Sequence, residues 1–441
     1  MSRVLAFGRA VIAAALAVSC AAAMRPAAAQ HGGPSPDPEP APQEQAGPPA
    51  PPPLRPVSFE DLPGWPSDAH AEILPVLQAS CAALRPMRPE APLGGAGEAA
   101  LRAGTAAAWT NACSELRLLE RALPRPPRQG QGRAHERRVA AWLAARNLAV
   151  RDFIEARFEA FSTGPGIMTG YYEPILRGAL EPDEVFRTPL HARPPELIEA
   201  PVNGNPLRRR YGVLRDGRME PFFDRAAIDG GALAGRGLEL VWVDDPTDAF
   251  FLHIQGSGRV ILPNGEMLRV GYAGQNGRSY VSIGRVLIDR GDIARDQMSM
   301  QSLRAWLGMA GYDRAIEVFR ANPSYIFFRF VDGLTPDQGP IGAMGVPLTP
   351  QRSVAVDRAF IPLGLPMWVQ VRDPGARRDT PPEGRLVVAQ DTGGAIRGPA
   401  RTDFFWGWGQ EAGERAGRMR EENEVFLLLP RTAPVSTAEA R

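Results

Sequence analysis

The residues best suited to chemistry lie together near the C-terminus, in the run RLVVAQDTGGAIRGPARTDFFWGWG from Arg385 to Gly409. Leu386, Val387, Val388 and Ala389 are an apolar run that reads as a strand and delivers Asp391 onto a glycine turn at Gly393-Gly394. Asp403 follows in the same run, with Gly398 before it and Phe404, Phe405, Trp406 and Trp408 after it. Two carboxyls, tight turns and aromatics that read as exposed match a sugar-processing site.

The elements that must position these residues belong to a chain of 441 residues, long enough for a sizeable core and more than one domain. A formal net charge of +1 gives no bulk attraction to nucleic acid, and none is expected as a partner. All 50 basic residues are arginine, which excludes a Schiff-base lysine and a lysine-bearing phosphate loop. The five histidines (His31, His70, His135, His191 and His253) are scattered without metal-ligand spacing, so neither metal nor cofactor is expected. Ser257 is not in a GxSxG elbow, and His253 reads as a strand residue.

The N-terminus reads as an export signal over residues 1–29: Arg3 and Arg9, an apolar stretch from Ala10 to Ala23, then Ala27-Ala28-Ala29 as a small-residue cleavage site. A rival processing site is Cys20 in Ala17-Val18-Ser19-Cys20, a weak lipid-acylation box. The expected location is the periplasm in soluble form, with an outer-membrane lipoprotein through Cys20 as the alternative. Removing the signal leaves Cys81 and Cys113 as a candidate disulfide.

Residues 30–56, rich in Pro, Gly, Ala and Gln, read as a stiff disordered linker. Helical patterning follows at 68–84, 97–122 and 134–162, where Phe158 and Phe161 extend an apolar face. Ile167 to Leu176 is strand-like, as are Glu239 to Asp244 and Phe250 to Gln255. Val260 to Leu262 leads into a hairpin turn at Pro263-Asn264-Gly265. Helices are expected at Ser282 to Arg290, Met300 to Ala310 and Asp313 to Ala321. Strands return at Tyr325 to Val331, Ser353 to Asp357, Leu365 to Val371 and Arg385 to Gln390, before a frayed tail at 431–441.

An ordered set of segments resembles the membrane-bound lytic transglycosylase A family of murein-degrading enzymes. The segments are MTGYYEP (Met168 to Pro174), FFLHIQGSGRV (Phe250 to Val260), GYAGQNGRSYVSIGRVLIDRGDI (Gly271 to Ile293), MSMQSLRAWL (Met298 to Leu307), NPSYIFFR (Asn322 to Arg329), AVDRAFIPLGLPMWV (Ala355 to Val369) and AQDTGGAIRGPARTDFFWGWGQEAGERAG (Ala389 to Gly417). The last two also resemble a three-Asp domain through Asp357, Asp391 and Asp403. The resemblance implies a mainly β fold with α. Its parts would be a double-psi β-barrel, an inserted second β-domain and an N-terminal helical region. The expected division is 57–176 and 326–430 for the barrel domain, the latter catalytic, and 177–325 for the insert.

The implied activity is cleavage of the β-1,4 bond between N-acetylmuramic acid and N-acetylglucosamine in peptidoglycan, leaving 1,6-anhydromuramic acid ends. The sugar's own 6-hydroxyl attacks the anomeric carbon, so one carboxyl suffices as acid and then base, where ordinary glycosidases use two. The resemblance assigns that role to Asp403 and a supporting one to Asp391, and Asp357 reads as structural. Candidates for glycan binding are Tyr171, Tyr172, Gln255, Ser257, Tyr272, Asn276, Tyr280 and Trp406, on peptidoglycan strands and a monomeric protein. A muramidase-type hydrolase using both carboxylates, or a catalytically silent murein-binding protein, are the alternatives.

Overall fold

The computed structural model describes residues 53–202, 205–377 and 379–431. The expected signal, the Cys20 box, nearly all of the linker and the tail from 432 lie outside the described residues. The linker's last four residues, 53–56, do not: Arg55 and Pro56 open strand β1 (Arg55–Val57).

Three helices follow: α1 (Leu74–Leu84), α2 (Gly97–Ala103) and α3 (Ala106–Ala122), with Cys81 and Cys113 bonded between α1 and α3. The bridge closes a loop of 32 residues, contributing about 3–4 kcal/mol on the chain-entropy model. Helix α4 (Arg133–Arg157) stops earlier than its pattern predicts, and the chain continues as the 16-residue strand β2 (Phe158–Glu173). Phe158 and Phe161 therefore sit on a strand, not on the helix face expected of them. Phe161 pairs with Leu427 across the sheet and with Pro56 of β1, so pairing with distant segments overrides the local helical pattern.

The chain then leaves the barrel. Strands β3 (Ile175–Ala179), β4 (Thr188–His191), β5 (Ile198–Val202), β6 (Asn205–Arg215) and β7 (Arg218–Glu220) come first. Asp216 and Gly217 both adopt positive φ, the two-residue hairpin turn that an Asp-Gly pair favours, between β6 and β7. One turn, α5 (Arg225–Ala227), leads to β8 (Glu239–Val243).

The next segment corrects an expectation. Pro246–Gln255 is helix α6, not a strand. Asp245 caps its first turn by accepting from Thr247 N, Pro246 occupies the first helical position, and Gly256 closes the helix with positive φ. His253 is a buried helical residue whose Nδ1 accepts from Ile326 N.

Strands β9 (Ser257–Ile261) and β10 (Met267–Gln275), helices α7 (Ile283–Arg290), α8 (Met300–Ala310) and α9 (Tyr312–Arg320), and β11 (Ile326–Phe330) complete the insert. Its main sheet runs β11-β10-β9-β3-β8-β4. Because β11 pairs with β10, this sheet extends past the expected boundary at 325.

Strands β12 (Ser353–Val356), β13 (Pro366–Val371), β14 (Glu383–Asp391) and β15 (Arg401–Trp408), helix α10 (Gly409–Arg418) and β16 (Arg420–Pro430) finish the chain. Strands β2, β15, β12, β14, β13 and β16 pair in that order, and β16 pairs back onto β2, closing a six-stranded barrel. Val387, Val388, Phe404 and Leu428 are among its fully buried residues. Closure buries both faces of β14, which accounts for its continuous apolar run. Outside it, Arg352 makes a two-pronged ion pair with Asp68 at 2.7 and 2.9 Å and holds the N-terminal segment to the barrel.

Candidate active site

Barrel register brings the two expected carboxyls onto one row. Ala355 of β12 pairs with Asp403 of β15 on one side and with Asp391 of β14 on the other, and Asp403 pairs with Thr169 of β2. Residues directly opposite one another in a sheet project to the same face, so Thr169, Asp403, Ala355 and Asp391 form a cross-strand row. At the usual strand spacing the two Asp Cα atoms lie about 10 Å apart.

A β-bulge makes this row possible. Val354 pairs with Ala389, yet Ala355 pairs with Asp391, so Gln390 is the extra residue. Without the bulge, Asp391 would stand opposite Val356. Gln390 is fully buried and held by three bonds: Ser353 Oγ donates to its Oε1 at 2.7 Å, and its Nε2 donates to Val76 O and Ser80 Oγ.

The two carboxyls are bonded differently. Asp391 Oδ2 accepts from the Tyr171 hydroxyl at 3.1 Å, and Oδ1 accepts from Ala343 N at 2.9 Å. Asp403 Oδ1 accepts from the Thr169 hydroxyl at 2.6 Å. Thr169 accepts in turn from Arg401 Nη2 at 2.7 Å. Among the described residues, Asp403 Oδ2 has no protein hydrogen-bond partner.

Both carboxyls are crowded by protein atoms while still reaching solvent. Burial raises the pKa of each to about 6. For Asp403 the Thr169 bond and the Arg401 charge oppose this rise, and the Asp391 charge adds to it. The Tyr171 phenol is pushed well up, by burial first and then by both aspartates, so it stays a donor.

The aromatics divide by strand alternation. Asp403 and Phe405 face the row, where Phe405 and Tyr171 pack at 5.2 Å between ring centres. Phe404 and Trp406 face the barrel core and contact each other at 5.1 Å. Trp406, expected to contact sugar, is 6% exposed, and its indole N–H is directed at Met419 Sδ. Gly170 makes room for it: a Cβ there would lie 2.7 Å from Trp406 Nε1.

Two further glycan candidates are used structurally. Asn276 is fully buried, donating to Phe223 O and Pro323 O and accepting from Tyr325 N. Tyr172 packs against Gly413 of α10, and its N–H donates to Gln255 Oε1 at 3.1 Å, which joins α6 of the insert to the barrel strand. Ser257 is half-buried at the start of β9. Tyr272 and Tyr280 are 42% and 44% exposed, and Tyr272 packs edge-on to Tyr211. Asp357 caps a turn, accepting from Ala359 N and Gly398 N.

Sequence reasoning gave no role to Thr169, Gln390 or the Ala343 loop. The Thr-x-Tyr alternation in MTGYY was a usable signal for Thr169, because Thr169 and Tyr171 must share a face. Nothing local marks the Gln390 bulge. A third unassigned feature joins barrel to insert: Glu173, at the end of β2, is buried between Arg259 (2.8 Å) and Arg269 (2.9 Å). Both arginines also donate to backbone carbonyls between Thr335 and Gln338, and Arg259 stacks over Trp408.

Residues 167–329 match the family model for the MltA specific insert domain, and residues 352–429 match the model for the 3D domain. The chain is 33% identical over 276 residues to a membrane-bound lytic murein transglycosylase A of Vibrio cholerae, covering 62% of this chain and 67% of that protein. Its fold is similar to the crystal structure of a membrane-bound lytic murein transglycosylase from Agrobacterium tumefaciens, with TM-score 0.69 and 38% identity over 86% of this chain and 98% of that one. It is also similar to E. coli MltA with bound chitohexaose, with TM-score 0.53 and 32% identity over 67% of this chain and 82% of that one.

Proposed function

The chain belongs to the membrane-bound lytic murein transglycosylase A family, and from that premise we propose that it cleaves the β-1,4 bond after N-acetylmuramic acid in peptidoglycan, with Asp403 as the one acid and base. The observation that carries the assignment is the asymmetry of the pair: Asp403 keeps one carboxyl oxygen free, whereas both oxygens of Asp391 are engaged.

Protonated Asp403 gives its proton to the glycosidic oxygen as the anomeric C–O bond breaks. Positive charge develops at the anomeric carbon and the ring oxygen. The muramoyl 6-hydroxyl attacks that carbon, and the Asp403 carboxylate takes the hydroxyl proton. The products together have the mass of the starting strand, and no water is consumed. A pKa near 6 keeps a useful fraction of Asp403 protonated near neutrality while leaving its conjugate base able to accept a proton. Holding the 6-hydroxyl in line supplies the intramolecular advantage that an external nucleophile lacks.

Asp391 supports the site by fixing Tyr171 and the Ala343 backbone. A two-carboxylate hydrolase is disfavoured because both oxygens of Asp391 are already held by protein donors, from Tyr171 and Ala343. Tyr272 and Tyr280, with Gln255 and Ser257 at the α6–β9 junction, are our proposed glycan contacts on the insert. The barrel domain (57–174 and 331–430) carries the acid and the insert (175–330, from β3 to β11) the opposing wall, in a protein acting as a monomer. We assign the chain to the cell envelope, in soluble periplasmic form. The intact mass of the exported protein separates a Gln30 start from an acylated Cys20.

Digestion of purified murein tests the function. Anhydro-ended muropeptides, one water lighter than muramidase products and absent with Asp403→Asn, are the expected result. Reducing-end products would reassign the chain as a hydrolase.

A further inference from the structure

Helices α3 and α4 form a hairpin, latched by Trp142 Nε1 donating to Pro124 O at 2.7 Å. Its far end is mostly outside the core, which it joins through Leu119 and Leu123. No residue of α3 beyond Leu116 is buried, and none of α4 before Val150. The part of α4 beyond its contacts with the body, residues 133–146, is about 21 Å long at the helical rise.

This end carries a concentration of positive charge. Residues 117–138 hold seven arginines against two carboxylates, Glu120 and Glu136, in a chain with a net charge of only +1. Arg117 and Arg121 lie on α3, Arg125 and Arg128 in the Pro-rich loop, and Arg133, Arg137 and Arg138 on the first turns of α4. All are exposed. Among the described residues, none of the seven pairs with a carboxylate, and Arg117 alone has a side-chain bond, to Ser114 Oγ. Exposed arginines elsewhere are commonly paired, as Arg285 is with Asp289 and Arg431 with Glu159. Apolar side chains lie on the same hairpin: Leu118 is 62% exposed and Leu143 45%.

We propose that this hairpin end is a peripheral docking surface for an anionic lipid bilayer. Charge complementarity selects an anionic partner. Guanidinium groups bind phosphate in two-pronged fashion and stack on flat surfaces. The exposed leucines and the half-buried Trp142 on the same hairpin suit the headgroup boundary, where a basic helical element with apolar side chains partitions. Among the described residues no helix is long and apolar enough to cross a membrane, so contact by this body is peripheral. The surface adds to whatever attachment the N-terminus provides, since one weak anchor alone holds a protein only reversibly.

The test is flotation of the chain without residues 1–29, using vesicles of 30% phosphatidylglycerol in phosphatidylethanolamine against pure phosphatidylcholine. Binding is expected only to the anionic vesicles, falling steeply as salt is raised. The variant with Arg125, Arg128, Arg133, Arg137 and Arg138 all changed to Gln is expected to partition on the order of 10³-fold more weakly, at about fivefold per arginine. Its rate on solubilised murein should be unchanged. Equal binding to both vesicle types, or salt-insensitive binding, by the unaltered protein overturns the proposal without any variant. So does a variant that keeps its vesicle binding but loses binding to intact sacculi, which would identify acidic murein as the partner.

Discussion

Replacing Asp403 with Asn keeps the side-chain volume and an acceptor for the Thr169 hydroxyl while removing the transferable proton. Activity and stability should then move in opposite directions. One residue serves as both acid and base, so the rate should fall about 10³–10⁴-fold, the upper part of the range for acid–base catalysis. Stability follows from the rise of the carboxyl pKa from 3.8 to about 6. The folded protein binds this proton more tightly than the unfolded chain does. Folding is therefore unaffected below about pH 4 and progressively penalised between about pH 4 and 6.

The full shift corresponds to roughly 3 kcal/mol above pH 6, and solvent access to the carboxyl reduces that to about 1.5 kcal/mol. With an unfolding entropy of about 2 cal/mol/K per residue, this is about 2 °C in melting temperature for a chain of this size. Melting should therefore show Asp403→Asn about 2 °C more stable than the parent near pH 7.5 and equal to it near pH 4. Muropeptide release should be nearly abolished at both. An Asn variant within tenfold of parental activity would refute the catalytic assignment. A variant less stable than the parent near pH 7.5 would refute the argument that the carboxylate is held at a cost.

Arg401→Gln removes the cation that reaches Asp403 through Thr169 and that lowers the acid's pKa, so the fall of kcat/KM with rising pH should shift to higher pH by several tenths of a unit. A pH–rate profile that does not move would show that this cation is only structural. Glu173→Ala leaves Arg259 and Arg269 buried without their carboxylate and should cost about 3–5 kcal/mol in urea unfolding. Tyr272→Ala should raise KM for glycan several-fold with little loss of stability, whereas Trp406→Ala should lower stability by about 3–5 kcal/mol through the cavity it leaves. The reverse pattern would mean that the two aromatics exchange roles.

Some elements were legible because their signals are local. The hairpin at Pro263-Asn264-Gly265 and helix α7 stand where turn residues and apolar spacing put them. Helix α6 was legible in principle: Asp245-Pro246 is a helix start and Gly256 a helix stop, but the apolar run Phe250 to Leu252 was read as a strand. A short buried run looks the same in either element, and here the caps decide. Strand β15 and helix α10 were not separated from the motif that contains them, because Asp403 and its aromatics were read as one exposed cluster. Alternation along β15 sends Trp406 to the core and Asp403 to the site, and that alternation has meaning only once the strand is known.

The sequence by itself determined the chemistry: which carboxyls are available, that no lysine competes, and which ordered segments place the chain in its family. Only the tertiary structure decided which carboxyl has a free oxygen. That difference depends on Ala355 lying between Asp391 and Asp403, on the Gln390 bulge that turns Asp391 onto the row, and on Thr169 and Tyr171 arriving from a strand more than 200 residues earlier. Side-chain types are carried by each residue alone. Strand register and desolvation arise only when distant segments pair and exclude water, so no local stretch of sequence contains them.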